Sequence, residues 1–282
     1  MKTKLKQLFV AGLTALTLTY GCTHVNTVNL LHPGKIKNLE SLVTSKASDY
    51  QVVMFGEQHG AYRKDNDFVI RLLPEMKKLG FNYLALELDR EPETITGGMF
   101  LTDYASGKLS RNDLTPKNIA KREWVEVING VRVTVTIKPE SLSKILPDME
   151  GWFDIIDAAK REGMKIICYD VDPSKAGPWY KRWNKREELA YKNIKELIFE
   201  KNPDVKVVVY CGEAHLSDKE EYNPYAEDFD LNMFRDNGRK YKSLAYYLKE
   251  HTQGRTLTVS LLGHEDYMRS DIVLDLKKGV VK

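Results

Sequence analysis

Apolar runs of about six residues recur along the chain, and each stops abruptly at a glycine, an acid or a histidine. The first, Gln51 to Gly60, reads QVVMFGEQHG. The others are Phe81 to Leu88 (FNYLALEL), Met164 to Val171 (MKIICYDV), Val205 to Leu216 (VKVVVYCGEAHL) and Arg255 to Gly263 (RTLTVSLLG). Continuous apolar strands of this kind are buried on both faces, which is the pattern of a parallel sheet. Helical patterns separate them. Phe68, Val69, Leu72, Leu73, Met76 and Leu79 share one face, with Gly80 as the C-terminal stop and Pro74 predicting a kink or a break. Further helices are predicted over Lys37 to Lys46, about Asp148 to Glu162, about Lys185 to Lys201 and near Tyr241 to Thr252. From Glu91 to Pro147 the rhythm changes, and an alternating stretch from Trp124 to Thr136 around Asn129-Gly130 gives a hairpin signal. The predicted fold is α/β, a mostly parallel, doubly wound sheet of about five or six strands. Residues 269 to 276 would add an edge strand, and residues 91–147 would form an inserted helix-plus-hairpin region.

Right-handed crossovers place the C-terminal ends of such strands on one edge of the sheet. That edge collects Glu57 and His59, Glu87, Asp170 and Asp172, Glu213 and His215, and His264. Two of the strand ends carry the same phrase, Gly-Glu-x-His, at Gly56 to His59 and at Gly212 to His215. In a chain with only 6 histidines, the repetition argues against coincidence and against two histidines that merely close strand ends. Glu87 interrupts an apolar run, and a buried carboxylate without a partner is costly, so a salt bridge to Arg90 or Arg63 is its plain reading.

Composition narrows the class. The 282 residues are 42% hydrophobic and 29% charged, enough to fill and coat one sizeable domain. Lys2, Lys4 and Lys6 precede an apolar stretch from Leu8 to Leu18 and then Gly21-Cys22, the layout of an export signal. Residues 1–21 are read as that signal, Cys22 as a lipidation site, 22–36 as a tether and 37–282 as a single domain. The domain is then placed in a bacterial cell envelope, held to the membrane through Cys22. Removing the signal takes three of 43 basic residues and leaves 40 against 40 acidic ones, so there is no electrostatic case for nucleic acid. The remaining cysteines, Cys168 and Cys211, lie inside predicted strands and are read as small buried residues, with a disulfide or a sulfur at the site left open.

Glu57, His59, Glu87, Glu213 and His215 form a mixed imidazole and carboxylate set of the kind that holds Zn, Mn, Fe or Co. A divalent metal there would activate water for hydrolysis. Without a metal, His59 would be a general base oriented by a carboxylate.

The stretch GEQHG, the sequence Ala85-Leu86-Glu87, the helix start KREELAYKNI and GEAHL resemble the superfamily that joins erythromycin esterase-like enzymes, ChaN-like haem-binding lipoproteins and Tiki/TraB proteins. The esterase-like branch implies His59 as base with Glu87 as a supporting carboxylate, although the spacing between Glu57 and His59 departs from that branch. The Tiki-like branch implies metal held through His59 and His215. The ChaN-like branch implies haem held by tyrosine and histidine, which draws Tyr222, Tyr225 and His264 into consideration. The sequence expectation is therefore a metal-dependent hydrolase of an ester, amide or peptide bond, with Glu57, His59, Glu87 and His215 catalytic. The alternative is a haem- or iron-binding uptake lipoprotein without catalysis.

Overall fold

A computed structural model describes residues 33–57, 63–90, 97–128, 131–171, 182–217, 242–261, 270–276 and 278–281. The strands are β1 (Val52–Glu57), β2 (Phe81–Asp89), β3 (Trp124–Ile128), β4 (Val131–Val135), β5 (Lys165–Asp170), β6 (Lys206–Gly212), β7 (Thr256–Ser260), β8 (Ile272–Asp275) and β9 (Val280–Val281). Seven of them form one sheet in the order β5-β2-β6-β1-β7-β8-β9, parallel throughout except for the last pair. The α/β class and the largely parallel sheet are those read from the apolar runs. The alternating stretch forms a separate antiparallel pair, β3 with β4, in which Ile128 faces Val131. The edge strand expected at residues 269 to 276 is β8, and the short β9 pairs beyond it.

The helices are α1 (Pro33–Ala47), α2 (Arg63–Lys78), α3 (Gly97–Ala105), α4 (Pro116–Ala120), α5 (Pro139–Ile145), α6 (Glu150–Arg161), α7 (Arg182–Ile194) and α8 (Leu244–His251). Alternate residues of each strand feed two cores. Val53, Phe55, Leu84, Leu86, Val208 and Tyr210 pack with α1, α2, α3 and α6. Val52, Met54, Ala85, Val207, Val209 and Cys211 pack with α7 and α8. Burying each larger apolar side chain fully is worth roughly 1.5–3 kcal/mol, so this two-sided alternation fixes the register of every central strand.

α2 runs through Pro74, which costs the helix one hydrogen bond without ending it. Its apolar stripe, with Phe68, Leu72, Leu73 and Met76 fully or almost fully buried, outweighs that loss. Gly80 and Gly163 stop α2 and α6 with positive φ of 91° and 64°. α7 ends in a π-helical turn, Lys195–Phe199, closed by the Glu200 amide donating to the Lys195 carbonyl.

The topology singles out one position on the carboxyl edge. From β1 the chain crosses by α2, on one face, to β2 on one side. From β6 it crosses by α8, on the opposite face, to β7 on the other side. β1 and β6 are neighbours, so the crevice between their carboxyl ends is the switch point at which open α/β sheets hold ligands. The two Gly-Glu-x-His phrases meet there in a register offset by one, Gly56 opposite Cys211 and Glu57 opposite Gly212.

That offset explains the first glycine. A Cβ on Gly56 would lie 2.7 Å from Leu216 Cγ and 3.0 Å from Glu213 Oε2, both belonging to the turn after β6. Leu216 is fully buried and has little room to move. Gly56→Ala is expected to lower stability by about 1–3 kcal/mol, read as a fall in the thermal midpoint. An unchanged midpoint would mean that the turn after β6 yields easily.

Candidate functional site

Glu87 sits where β2 loses its register with β5. Leu86 pairs with Cys168 and Asp89 with Asp170, so Glu87 and Leu88 stand opposite Tyr169 alone. A bulge of this kind re-aims a side chain. Glu87 thereby reaches three donors. Its Oε1 accepts from Arg186 Nη2 at 2.6 Å and from His215 Nε2 at 2.8 Å, and its Oε2 accepts from the Gly212 amide at 2.7 Å. Arg90, its sequence neighbour, turns instead to Asn193 and Glu196.

His215 lies in a short 3-10 turn, Glu213–His215, directly after β6. Its second nitrogen, Nδ1, is 2.8 Å from Glu187 Oε2, and that oxygen also accepts from the Leu244 amide at 2.7 Å. Glu187 is fully buried and caps the N-terminus of α8, where the helix dipole favours an anion. Burial alone would lower the His215 pKa, but the charges of Glu187 and Glu87 overcome it and push the imidazole up to about 10. His215 is therefore an imidazolium that donates from both nitrogens.

Arg186 closes the network, with its Nε donating to Asp170 Oδ1 at 3.0 Å and its Nη2 to Asp170 Oδ2. Desolvation opposes this charge, yet Asp170 and Glu87 hold the guanidinium well above its ordinary pKa. Burial pushes the Asp170 carboxyl up, and Arg186 works against that rise. Asp170 stood among the acids at the strand ends. Arg186 and Glu187 were not singled out as site residues. The available signal was Glu187 itself, an acid on the same helical stripe as Ala190, Ile194 and Ile198.

Glu57 and Glu213 occupy the switch point. Both are 4% exposed. Glu213 projects into the notch left by Gly56, and neither of its carboxylate oxygens has a hydrogen-bond partner among the described residues. Burial, reinforced by the Glu57 charge, pushes its pKa up to about 7. Ser260, on β7 in register with Gly56, is near enough to favour the ionised form, but its fully buried hydroxyl makes no hydrogen bond of normal geometry among the described residues. On the opposite face, the Tyr210 hydroxyl donates to Asn66 of α2. Its pKa is pushed well up by burial and then by Glu57 and Asp65.

Other expected site residues fall differently. Gln58, His59, Tyr222, Tyr225, His264 and Cys22 lie outside the described residues. Cys168 and Cys211 are free and belong to opposite faces of the sheet. Burial pushes the Cys168 thiol up to about 11 and Cys211 well above its ordinary value, so neither is a reactive sulfur. The donors described do not fit the expected metal. Both His215 nitrogens carry protons directed at carboxylates, and the Glu87 oxygens accept from His215, Arg186 and Gly212. Among the described residues, no group of three or more His, Cys, Asp or Glu is arranged to hold a metal ion.

The architecture defined so far is a three-layer α/β/α domain with a carboxylate-rich switch point. No family model matches the chain, and no curated protein does. It is similar to the solved structure of RRSP, a MARTX toxin effector domain from Vibrio vulnificus CMCP6, at 14% identity over 81% of this chain and 37% of that one, with a TM-score of 0.44. It is also similar to the type III effector HopBA1, at 14% identity over 89% and 97% of the two chains and a TM-score of 0.42. The C-terminal region of Pasteurella multocida toxin, described as having a thiol-protease-like catalytic triad, matches at 13% identity over 84% and 24%, with a TM-score of 0.45. The chain thus spans less than two fifths of the first of these structures, and likeness at this level carries no activity across. The expected membership of the erythromycin esterase-like, ChaN-like and Tiki/TraB superfamily is corrected here: no family model and no curated protein of it matches, and the similar solved structures are toxin effector domains. With it goes the metal-dependent hydrolase that the resemblance implied; the haem-uptake alternative gains no support, and nothing in the comparisons carries a lipoprotein feature.

The two titrating groups separate on the pH axis. Glu213, raised in the fold, favours the protonated native state, so its contribution of roughly 3 kcal/mol is lost as pH rises from about 4.5 to 7. The His215 contribution is complete below about 6.5 and lost as pH rises through 10. In urea unfolding across this range, Glu213→Gln should flatten the acid-side fall and stabilise the protein at pH 8. His215→Gln should destabilise it by about 3–5 kcal/mol at neutral pH and remove the alkaline fall. Identical pH profiles for the two variants would contradict these assignments.

Proposed function

We propose that the chain is an acid–base enzyme whose reacting group is Glu213 at the β1/β6 switch point. The observation that carries this reading is a carboxyl group, 4% exposed and without a hydrogen-bond partner among the described residues, placed where open α/β sheets bind ligands. A carboxyl with pKa about 7 is present in both protonation states at neutral pH, so it can give a proton to a substrate or take one from it. Burial sets that affinity, Ser260 works against it, and the Glu57 charge adds to it. Glu87, His215, Glu187, Arg186 and Asp170 act as positioning residues, since their protons and charges are committed to one another. His59, two residues after Glu57 in the sequence, is the second candidate for proton transfer. The basic and apolar start of the chain supports export to the cell envelope. No helix of the described residues is long and apolar enough to cross a membrane.

The test is turnover of small molecules in a metabolite extract, followed by mass spectrometry with wild-type protein and Glu213→Gln side by side. Wild type should deplete at least one compound, with a rate that changes about tenfold per pH unit on one side of pH 7, and the variant should lose at least about a hundredfold. Turnover that survives in the variant, or is absent from both proteins, would overturn the assignment.

A further inference from the structure

We propose that β5 is an interaction surface that pairs with β5 of a second copy of this chain, antiparallel about a two-fold axis through Ile167, so that the two sheets become one. The proposal does not depend on the acid–base reading of the switch point.

The edge is open in its hydrogen bonding. β5 is the first strand of the sheet and pairs with β2 on one side only. The Arg90 amide donates to the Asp170 carbonyl, so alternation turns the amides and carbonyls of Ile166, Cys168 and Asp170 toward β2 and those of Lys165, Ile167 and Tyr169 outward. Asn193 Nδ2, on α7, donates to the outward Tyr169 carbonyl at 2.8 Å. Among the described residues, the amide and carbonyl of Ile167 have no hydrogen-bond partner. The side chains are accessible too. Ile166, Ile167 and Cys168 are half-buried, whereas β1 and β7, paired on both sides, are buried throughout. Natural sheet edges are blunted by shortness, proline, a bulge or an outward lysine. The opposite edge uses the first device, since β9 has two residues. β5 has six and no proline, and the irregularity in its pairing falls on β2. Its Lys165 folds back over its own sheet, with Nζ 5.5 Å from the centroid of the Tyr83 ring.

Such an edge takes an extended strand, and β5 is complementary to itself. Charge sets the direction. The strand begins with Lys165 and ends with Asp170, so antiparallel pairing brings each basic end to the partner's acidic end, and parallel pairing would set like charges side by side. Geometry sets the register, because an antiparallel ladder opposes outward residues to outward residues. With Ile167 on the axis, it meets the partner's Ile167, and Lys165 meets the partner's Tyr169. Ile166 then meets the partner's Cys168 as a non-hydrogen-bonded pair. Apolar contact forms on both faces of the joined sheet, since Ile167 packs with one core and Ile166 and Cys168 with the other. A two-fold contact of this kind uses the same patch on both copies and closes the edge against further growth.

The experiment is sedimentation equilibrium of the full chain under reducing conditions, from about 1 to 200 μM, with wild type beside Ile167→Pro. The wild-type mass should climb toward twice that of one chain as concentration rises. Proline at 167 removes an outward amide that makes no bond to β2, so it should weaken association at least about tenfold while leaving the circular dichroism of the monomer unchanged. A cysteine pair tests the register without disturbing the backbone. Opposed residues of a non-hydrogen-bonded pair have Cα atoms about 4.5 Å apart, within disulfide reach, so Ile166→Cys should cross-link to the partner's Cys168 on oxidation. The cross-link should disappear when Cys168→Ser is added. A wild type that stays monomeric throughout would overturn the proposal, as would a folded Ile167→Pro that associates like wild type. If Ile167→Pro unfolds, the cysteine pair decides: a dimer that Ile166→Cys fails to cross-link, or cross-links equally with Cys168→Ser, does not form through β5 about Ile167.

Discussion

Glu87 and Glu187 are held together in the interior by the one imidazolium that stands between them. Each is almost completely buried, and a carboxylate in that position without a cation would be raised until it neutralised. His215 donates to both, and Arg186 extends the arrangement from Glu87 to Asp170. The partners come from β2, β5, α7, the turn after β6 and the first amide of α8. A buried ionic network is a poor source of net stability, because desolvation offsets most of its attraction. It is strong in geometry, since moving any one member leaves a bare charge. The turn that carries Glu213 is thus tied at both ends, by the Gly212 amide on Glu87 and by the His215 ring between two carboxylates.

Against that fixed background, Glu213 is the exception. Glu87, Asp170 and Glu187 each meet a cation or an amide donor, whereas Glu213 meets the notch left by Gly56, the Ser260 hydroxyl and the charge of Glu57. Carrying such a group lowers stability at neutral pH. Proteins commonly accept that cost where activity needs it. The contrast within one phrase is instructive: of Glu213 and His215, two residues apart, the imidazole is held in one protonation state and the carboxyl is left able to change.

Much of the fold was legible because burial on both faces leaves an unmistakable trace. The runs at Val52, Phe81, Lys165, Lys206 and Thr256 are strands where the apolar pattern predicts them, and the glycines at 80 and 163 end the helices before them. The site was legible in position and less so in chemistry. Sequence order brings Glu57 and Glu213 together only through the crossovers that seat β6 between β2 and β1. His215 reads as a ligand or base by residue type. Its protonation state depends on Glu87 and Glu187, 128 and 28 residues away in sequence, and no local pattern encodes both. Short shared phrases at strand ends were a weaker guide to kinship than to position, because any open parallel sheet rewards glycine and acids there.

The same physics assigns roles among the titratable groups at this edge. The thiol of Cys211 and the hydroxyl of Tyr210 are pushed well above neutrality by burial and by surrounding carboxylates, so both stay protonated. Arg186 and His215 stay charged because their partners are anionic. Carboxylates crowded together cannot all ionise at equal cost, and the one with the poorest hydrogen bonding is the one that responds to pH. Among the described residues Glu213 is the acid at this edge with neither carboxylate oxygen hydrogen-bonded. A ligand reaching it meets an acceptor pair whose charge varies within an otherwise fixed field, which couples binding and proton transfer at one carboxyl group.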